Sequence, residues 1–510
     1  MSYQGGGRTF STLDGALGTV QGLRWTSINT SYNLPWKSFG DLVLPMPRGQ
    51  ILDPVLLTAR NVAISTFEDH YVSPYVQNFN VEVQRDLGRR MTLEVRYVGN
   101  KSTKLYDAVP LNQWQANTNA EFLQAFKTTV QGGDAPLFDR MLNGLNVTGF
   151  GVVDGTTRTG SAALRTFTTT RTMLANGNIG LLANFFNTTN AFTNENGGIL
   201  RNAKLPETYF VANPQFSNVT LNGNGSASTY HSMIAQVTKR LSSGFSNQTS
   251  YTWSKGLGDD SADNASNFRD VNNRRSEKTR LSFDRTHSFR TTGTFELPFG
   301  PNKRLLGSRS GILARIVQRW QLAGIANWTS GAALNIAANG ATFASAATAN
   351  NNNTPMIVGA FPKTSGEITL SKDVVGASYF PGFTQVSDPG CSKITAAQTL
   401  NTLCTNLAIK DGSGNLVLLN SDAGQLGTLG KRWIEGPSEF RFDLNATKRI
   451  KIAERKEFEL RIDAINVLNH SLWATTGTGA LVLDINNANF GRITNKTGNR
   501  TFTINTRLNF

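Results

Sequence analysis

The sequence predicts an all-β fold, an antiparallel transmembrane β-barrel. Three observations predict it. First, the chain contains paired runs in which apolar and polar residues strictly alternate, the signature of strands with two unlike faces. Second, the connections between these runs alternate shorter and longer along the chain, as tight turns at one rim and long loops at the other require. Third, the polar faces carry charges in mid-strand. A dry core would take these only at several kcal/mol each, whereas a hydrated lumen removes that cost.

Composition agrees. The chain has 510 residues, a formal charge of +15 and a pI near 9.9; charged residues make up only 17%, and Gly accounts for 48 positions. This is strand-and-turn chemistry, poor in helix formers. No apolar run approaches the length of about 18 residues that a spanning helix needs. A barrel is still allowed, because alternating strands never produce such a run.

Residues 1–78 are the least regular. Gly5 to Gly7 and Pro35 to Pro54 read as loop, and Val20 to Thr30 as a strand. From Phe79 the pattern sharpens. Phe79, Val81 and Val83 alternate with Asn80, Glu82 and Gln84, then Met91, Leu93, Val95 and Tyr97 with Thr92, Glu94 and Arg96, across a turn at 88–90. This is a hairpin. A long polar segment, 100–229, follows, with Ile179 to Phe186 and Glu207 to Ala212 as candidate strands inside it. A second hairpin turns at 242–244; Met233, Ala235 and Val237 share a face of its first strand, as do Phe245, Tyr251 and Trp253 of its second. After a charged loop, 255–283, Thr286 to Leu297 and Trp320 to Ser330 read as strands joined by 298–319. A second long polar region, 331–437, includes the low-complexity run Ala344 to Asn353. Two further strands, with Phe440, Phe442, Leu444 and Phe458, Leu460, Ile462 as apolar faces, are joined at 450–456. A loop, 469–498, leads to the last strand, Arg500 to Phe510.

That last strand alternates Phe502, Ile504, Thr506, Leu508 and Phe510 with Thr501, Thr503, Asn505, Arg507 and Asn509. Its length suits a tilted bilayer crossing of about 9–11 residues. Taken alone it also fits an edge strand of a soluble β-protein. Its aromatic final residue resembles the closing strand of Gram-negative outer-membrane barrels, so Phe510 is the expected C-terminal signal to the barrel assembly machinery. The charged positions opposite the apolar face, Arg290, Glu296, Arg441, Asp443, Glu459, Arg461 and Asp463, are the lumen-facing candidates. Tyr251, Trp253, Trp320 and Trp328 lie near strand ends, where an interfacial girdle places amphipathic rings. Counting back from Phe510, the short turns fall on the periplasmic side and the long loops outside. The two cysteines, Cys391 and Cys404, share one outer loop and are expected to form a disulfide.

Several stretches resemble one family: SPYVQNFNVEVQRDLGRRMTLEVRYVGNKSTKL, VTKRLSSGFSNQTSYTWSKGL, FDRTHSFRTTGTFELPFG, WQLAGIANWTSG, FELRIDAINVLNH and NFGRIT. In their order and spacing, from about residue 73 to Phe510, they are similar to the C-terminal part of TonB-dependent outer-membrane receptors. The nearest resemblance is to the Oar-like acidobacterial group, which carries a carboxypeptidase-regulatory-like N-terminal domain. The resemblance implies a barrel of about 22 strands, a plug and a TonB box. It also implies uptake of a siderophore, cobalamin or glycan. Neither a plug nor a TonB box, a signal peptide or a regulatory-like domain is legible before residue 73. Residues 1–72 are therefore expected to be a poorly defined segment and residues 73–510 the C-terminal barrel portion, a fragment unable to transport alone. TonB would act only through the missing region. Other expected partners are outer-membrane lipid and lipopolysaccharide. A passive porin or surface adhesin is the alternative, and a secreted carbohydrate-binding β-protein the third reading.

Other chemistries find little support. His70, His231, His287 and His470 have no metal-ligand spacing, and no phosphate loop, dinucleotide fingerprint or nucleophile elbow occurs. The reading is no enzyme and no cofactor. Asp411 to Asn415 resembles the start of a calcium loop with Asp422 at the twelfth position, but Leu416 stands where Gly is needed, so a hairpin tip is expected. Asp259, Asp260, Asp263 and Asp270 read as a solvated loop paired with Arg269, Arg274, Arg275 and Lys278. The basic residues are dispersed rather than gathered on one motif, which argues against nucleic acid.

Overall fold

The computed structural model describes residues 55–115, 118–259, 268–300, 303, 305, 316–338, 343–345, 348–349, 353–362, 368–370, 376–453 and 456–510. The expected strand at Val20 to Thr30 and the loop at Pro35 to Pro54 lie outside them, as do Asp260 and Asp263.

Nine strands form one antiparallel meander in chain order: β1 (Tyr75–Gly88), β2 (Met91–Pro110), β3 (Phe216–Ser242), β4 (Phe245–Gly258), β5 (His287–Glu296), β6 (Trp320–Thr329), β7 (Glu439–Ala453), β8 (Lys456–Ile465) and β9 (Thr501–Asn509). A short strand, Val62–Phe67, runs parallel to the start of β3. Among the described residues β1 and β9 are the outer members of the meander and do not pair with each other. With nine antiparallel strands, both run in the same direction.

The tight turns have local causes. Gly88 pairs with Met91, leaving Arg89 and Arg90 as a two-residue loop at φ +50° and +62°. Ser242 pairs with Phe245 around Ser243 and Gly244 at φ +53° and +77°. Positive φ at both central positions is the turn whose twist matches a hairpin. The expected connection 450–456 is shorter than the sequence suggested, because pairing continues to Ala453 and resumes at Lys456.

The long connections hold more structure than the polar segments with candidate strands that the sequence suggested. β2 and β3 remain paired well past residue 100, to Pro110 and Thr220, through bulges after Ser102 and Leu105. Between them lie six helices: α1 (Ala120–Val130), α2 (Pro136–Leu142), α3 (Gly160–Thr166), α4 (Thr168–Ala175), α5 (Ile179–Thr188) and α6 (Gly198–Asn202). The expected strand Ile179 to Phe186 is therefore helical, and Glu207 to Ala212 is turn and bend. The fold is predominantly antiparallel β rather than all-β. None of these helices is long and apolar enough to cross a membrane.

The helices form because their apolar residues recur at helical spacing. Phe122, Ala125, Phe126 and Thr129 are the buried face of α1, and the Asn119 side chain caps its start by accepting the Phe122 N–H. Phe122 and Phe138 meet edge to face at 5.7 Å, and both approach Phe186. A second core joins 331–437 to 469–498, with Tyr379, Phe380, Ile409, Leu418, Ile485 and Ile493 buried together. Leu400 enters the helical core, and Thr395 N–H donates to the Val130 carbonyl at 2.9 Å. The long connections therefore pack as one cap at a single end of the sheet. The two large cores lie in this cap, and the sheet beneath it has two accessible faces.

Cys391 and Cys404 are joined by a disulfide in the cap, with Cα atoms 5.7 Å apart. Reducing it should cost the cap about 3 kcal/mol, since a loop of this size loses that much closure entropy. Hydrogen exchange across 385–410 should rise on reduction, with the sheet unaffected. The helical core gives a second prediction. Phe122→Ala removes a fully buried ring and should cost about 3–5 kcal/mol. The helical circular-dichroism signal should melt earlier while the heat-modifiable gel mobility of the barrel is unchanged.

Candidate functional site

The register sorts the side chains of all nine strands onto two unlike faces. On one, Arg290 stands opposite Asn327, and Asn327 opposite Arg441. Glu296 lies in line with Gln321, Thr447, Arg461 and Asn505. Asp463 lies between Asn445 and Thr503, and Glu459 between Arg449 and Arg507. Asp443 is opposite Ile325. All seven charged positions singled out in the sequence thus share one face, with Glu82, Glu94 and Arg96.

These charges interact along and across strands. Arg461 Nε donates to Asp463 Oδ1 at 2.9 Å, and Arg449 Nε to Glu459 Oε2 at 2.8 Å. The Asp463 carboxylate also accepts from Asn445 Nδ2 at 2.5 Å and Asn505 Nδ2 at 3.2 Å. Asp443 Oδ1 takes the Asn466 N–H at 2.7 Å, and Lys303 pairs with Glu296 at 3.3 Å. Asp443, Arg461, Asp463, Thr292 and Thr503 line an open groove of about 570 Å³. Arg290 and Arg441 are exposed and form no ion pair among the described residues.

The opposite face is apolar. Val81, Val95, Ala235, Leu322, Leu444, Ile462 and Ile504 lie on it, and many of its large side chains are exposed. Two aromatic levels bound it. Phe245, Phe295, Trp320 and Phe458 lie toward the short turns; Tyr97, Tyr251, Trp253, His287, Phe289, Trp328 and Phe440 lie toward the cap. Trp320 and Trp328 are eight residues apart on β6. At about 3.4 Å per residue and a tilt near 40°, that is roughly 20 Å of height, close to the apolar band of a membrane barrel. On β4 to β9 no described strand residue on this face between the two levels is charged; on β1 and β3, Arg85 and Lys239 lie on this face toward the short turns.

Charges bury themselves in the cap. Glu277, fully buried, accepts from Lys431 Nζ at 2.5 Å and lies 3.4 Å from Arg269 Nε. Arg269 also donates to the carbonyls of Ser276 and Leu429. Burial pulls the Lys431 ammonium below its ordinary range, opposed by Glu277. Arg274 pairs with buried Asp107 at 2.5 Å and reaches Asp259 at 3.8 Å; burial raises the Asp259 carboxyl, opposed by Arg274. The stretch 268–278 is thus a packed junction between loops, a correction to the solvated loop expected from sequence. Arg269 and Arg274 meet acids within the cap, whereas Arg275 and Lys278 are exposed. Asp411 caps the hairpin tip at 411–415 by accepting the Ser413 and Asn415 N–H groups. Among the described residues no group of three or more His, Cys, Asp or Glu is placed to hold a metal ion. Phe510 follows β9 and is almost fully exposed.

Glu277→Ala should strand Lys431 and Arg269 without their acid. Breaking one member of a buried ion group costs about 3–5 kcal/mol. The expected outcome is protease cleavage within 331–437 of the folded protein, and Glu277→Gln should show a smaller effect.

Residues 5–504 match a family model described as the outer membrane beta barrel domain. The chain belongs to that family, a non-catalytic class located in the outer membrane. Among solved structures it is similar to the outer-membrane transporter YddB from Escherichia coli, at 9% identity over 89% of this chain and 34% of that one, with a TM-score of 0.35. It is also similar to the pyoverdine receptor FpvA from Pseudomonas aeruginosa bound to pyoverdine, at 9% identity over 86% of this chain and 30% of that one, TM-score 0.28. A FadL homologue from Pseudomonas aeruginosa is matched at 6% identity over 86% of this chain and 67% of that one, TM-score 0.16. The chain thus spans about a third of the length of that transporter and of that receptor. No curated protein matches it.

Proposed function

We propose that this chain supplies barrel wall and outer cap to a TonB-dependent transporter that imports a large or scarce solute of the siderophore, cobalamin or glycan class. The observation that carries the reading is the two-faced sheet: charges gathered on one face, and on β4 to β9 none on the other between its aromatic levels. A hydrated lumen accepts the first face and lipid the second. Arg290, Glu296, Arg441, Asp443, Glu459, Arg461 and Asp463 then line the lumen. The sequence motifs of the Oar-like group support the narrower affiliation.

Strand direction supports a larger barrel. β1 and β9 run the same way, so antiparallel closure takes an odd number of further strands beside the nine. Plugged transporters with about 22 strands satisfy that parity. Copies of the nine-strand sheet alone do not, because each junction would join parallel strands.

Two measurements test the proposal. An epitope inserted at Ser413, on an exposed hairpin tip in the cap, should be labelled on intact cells, and one at Ser243 should not; the reverse overturns the orientation. In cells carrying the natural protein, solute uptake should saturate and stop when TonB is deleted. Uptake that persists without TonB would favour the passive porin, and surface attachment without uptake the adhesin.

A further inference from the structure

We propose that the cap-side rim of the apolar face holds the phosphate-bearing headgroup of an outer-leaflet lipid, gripped by Lys101 and Lys255. The inference rests on the orientation above, with the cap outside.

Three neighbouring strands build the site. Gly99 on β2 stands opposite His231 on β3, and His231 opposite Lys255 on β4. Lys101 is two residues further along β2 on the same face. The two lysines rise from strands about 10 Å apart, with His231 between them, a gap that two lysine stems can close around one phosphate. The floor is aromatic. Tyr97 Oη and His231 Nδ1 are 2.7 Å apart, and Phe79 lies 6.3 Å from Tyr97 and 6.5 Å from His231. Gly99 is needed here, because a Cβ would fall inside the Phe79 ring. Trp253 is exposed on the next strand.

Charge completes the case. Every carboxylate in the regularly paired part of the nine strands lies on the other face: Glu82, Asp86, Glu94, Glu296, Glu439, Asp443, Glu457, Glu459 and Asp463. Nothing on the apolar face offsets Lys101 and Lys255. Both are exposed, and neither forms an ion pair among the described residues. At the opposite rim Lys239 and Lys448 are engaged, while Lys456 is exposed. Lys448 Nζ donates to the carbonyls of Ile316 and Gln318 at 2.7 and 2.6 Å, and Lys239 Nζ to that of Arg89. A lysine that only needs to leave hydrocarbon can snorkel to a carbonyl in this way. The cap-side pair instead stays available at headgroup depth, where anionic lipid attracts each cation.

The test uses the full natural protein purified from outer membranes. It is presented to phosphatidylcholine nanodiscs with or without bisphosphorylated lipid A. Lys101→Gln with Lys255→Gln should lower retention of lipid A roughly 30-fold, with phosphatidylcholine binding unchanged. Arginine at both positions should retain it, and Lys239→Gln should have no effect. Heat-modifiable mobility verifies that each variant is folded. Wild-type retention by the double glutamine variant, or an equal loss in Lys239→Gln, overturns the proposal. Complete displacement of lipid A by millimolar inorganic phosphate would also overturn it, by showing a site for free anions. An inverted orientation would be detected separately, by a Ser413 epitope hidden on intact cells.

Discussion

A backbone crossing hydrocarbon must pair every N–H and C=O within the protein, and no water substitutes for a missing partner. In a sheet this fixes register, and a slip of one residue would exchange the two faces of a strand. The rest of this structure depends on that constraint. The pairing of β2 with β3 and of β6 with β7 is unbroken through the apolar band. Irregularity appears only outside it. Bulges interrupt β2 beyond Ser102, on the cap side of the aromatic level, and shifts occur at the hairpin ends. Where water can reach the chain, the ladder bends.

The cap obeys a different rule. Its loops are joined by carboxylate–cation groups, Glu277 with Lys431 and Arg269, Asp107 with Arg274, and Glu435 with Arg280 at 2.8 Å. Each joins segments distant in sequence. Such groups gain little net stability over well-packed apolar residues, yet losing one member is expensive. They therefore fix which loop meets which more than they strengthen the contact. The apolar cores do the stabilising, with Phe122, Phe138 and Phe186 in one and Tyr379, Phe380 and Ile485 in the other.

The strands were legible because their two environments write opposite letters at every second residue. Phe289, Phe295, Arg290 and Glu296 needed no tertiary information to assign. The helices were not read, although their signals exist. Phe122 and Phe126, or Leu137 and Met141, recur at helical spacing, and Asn119 and Thr159 stand at the N-caps. They are short and separated by Asn-, Thr- and Gly-rich turns, so no window is long enough for the 3.6-residue period to dominate. Tertiary burial stabilises them, as it does most short helices. The buried partners of Arg269 and Arg274 were invisible for another reason: Glu277 is near in sequence, but Lys431, Thr354 and Asp107 meet that stretch only once the loops fold together.

The lipid-facing band shows how strict the first constraint is. On β4 to β9 its polar side chains between the aromatic levels are Asn247, Thr249, Thr291 and Thr506. Three of them bond to one another. Thr249 Oγ1 donates to Asn247 Oδ1 at 2.9 Å, Asn247 Nδ2 donates to Thr291 Oγ1 at 3.0 Å, and the two threonine hydroxyls are 2.8 Å apart. Asn247 also donates to the Thr292 carbonyl at 3.2 Å. Its amide lies over Gly293, directly opposite in the ladder, where a Cβ would come within 3.2 Å of Nδ2 and 2.8 Å of the Ser246 carbonyl. A side chain at 293 would lift the amide away from its partners and leave it facing hydrocarbon. The glycine is therefore part of the solution that lets an asparagine sit in the band, and the polar cluster and the small residue beneath it have to be read together.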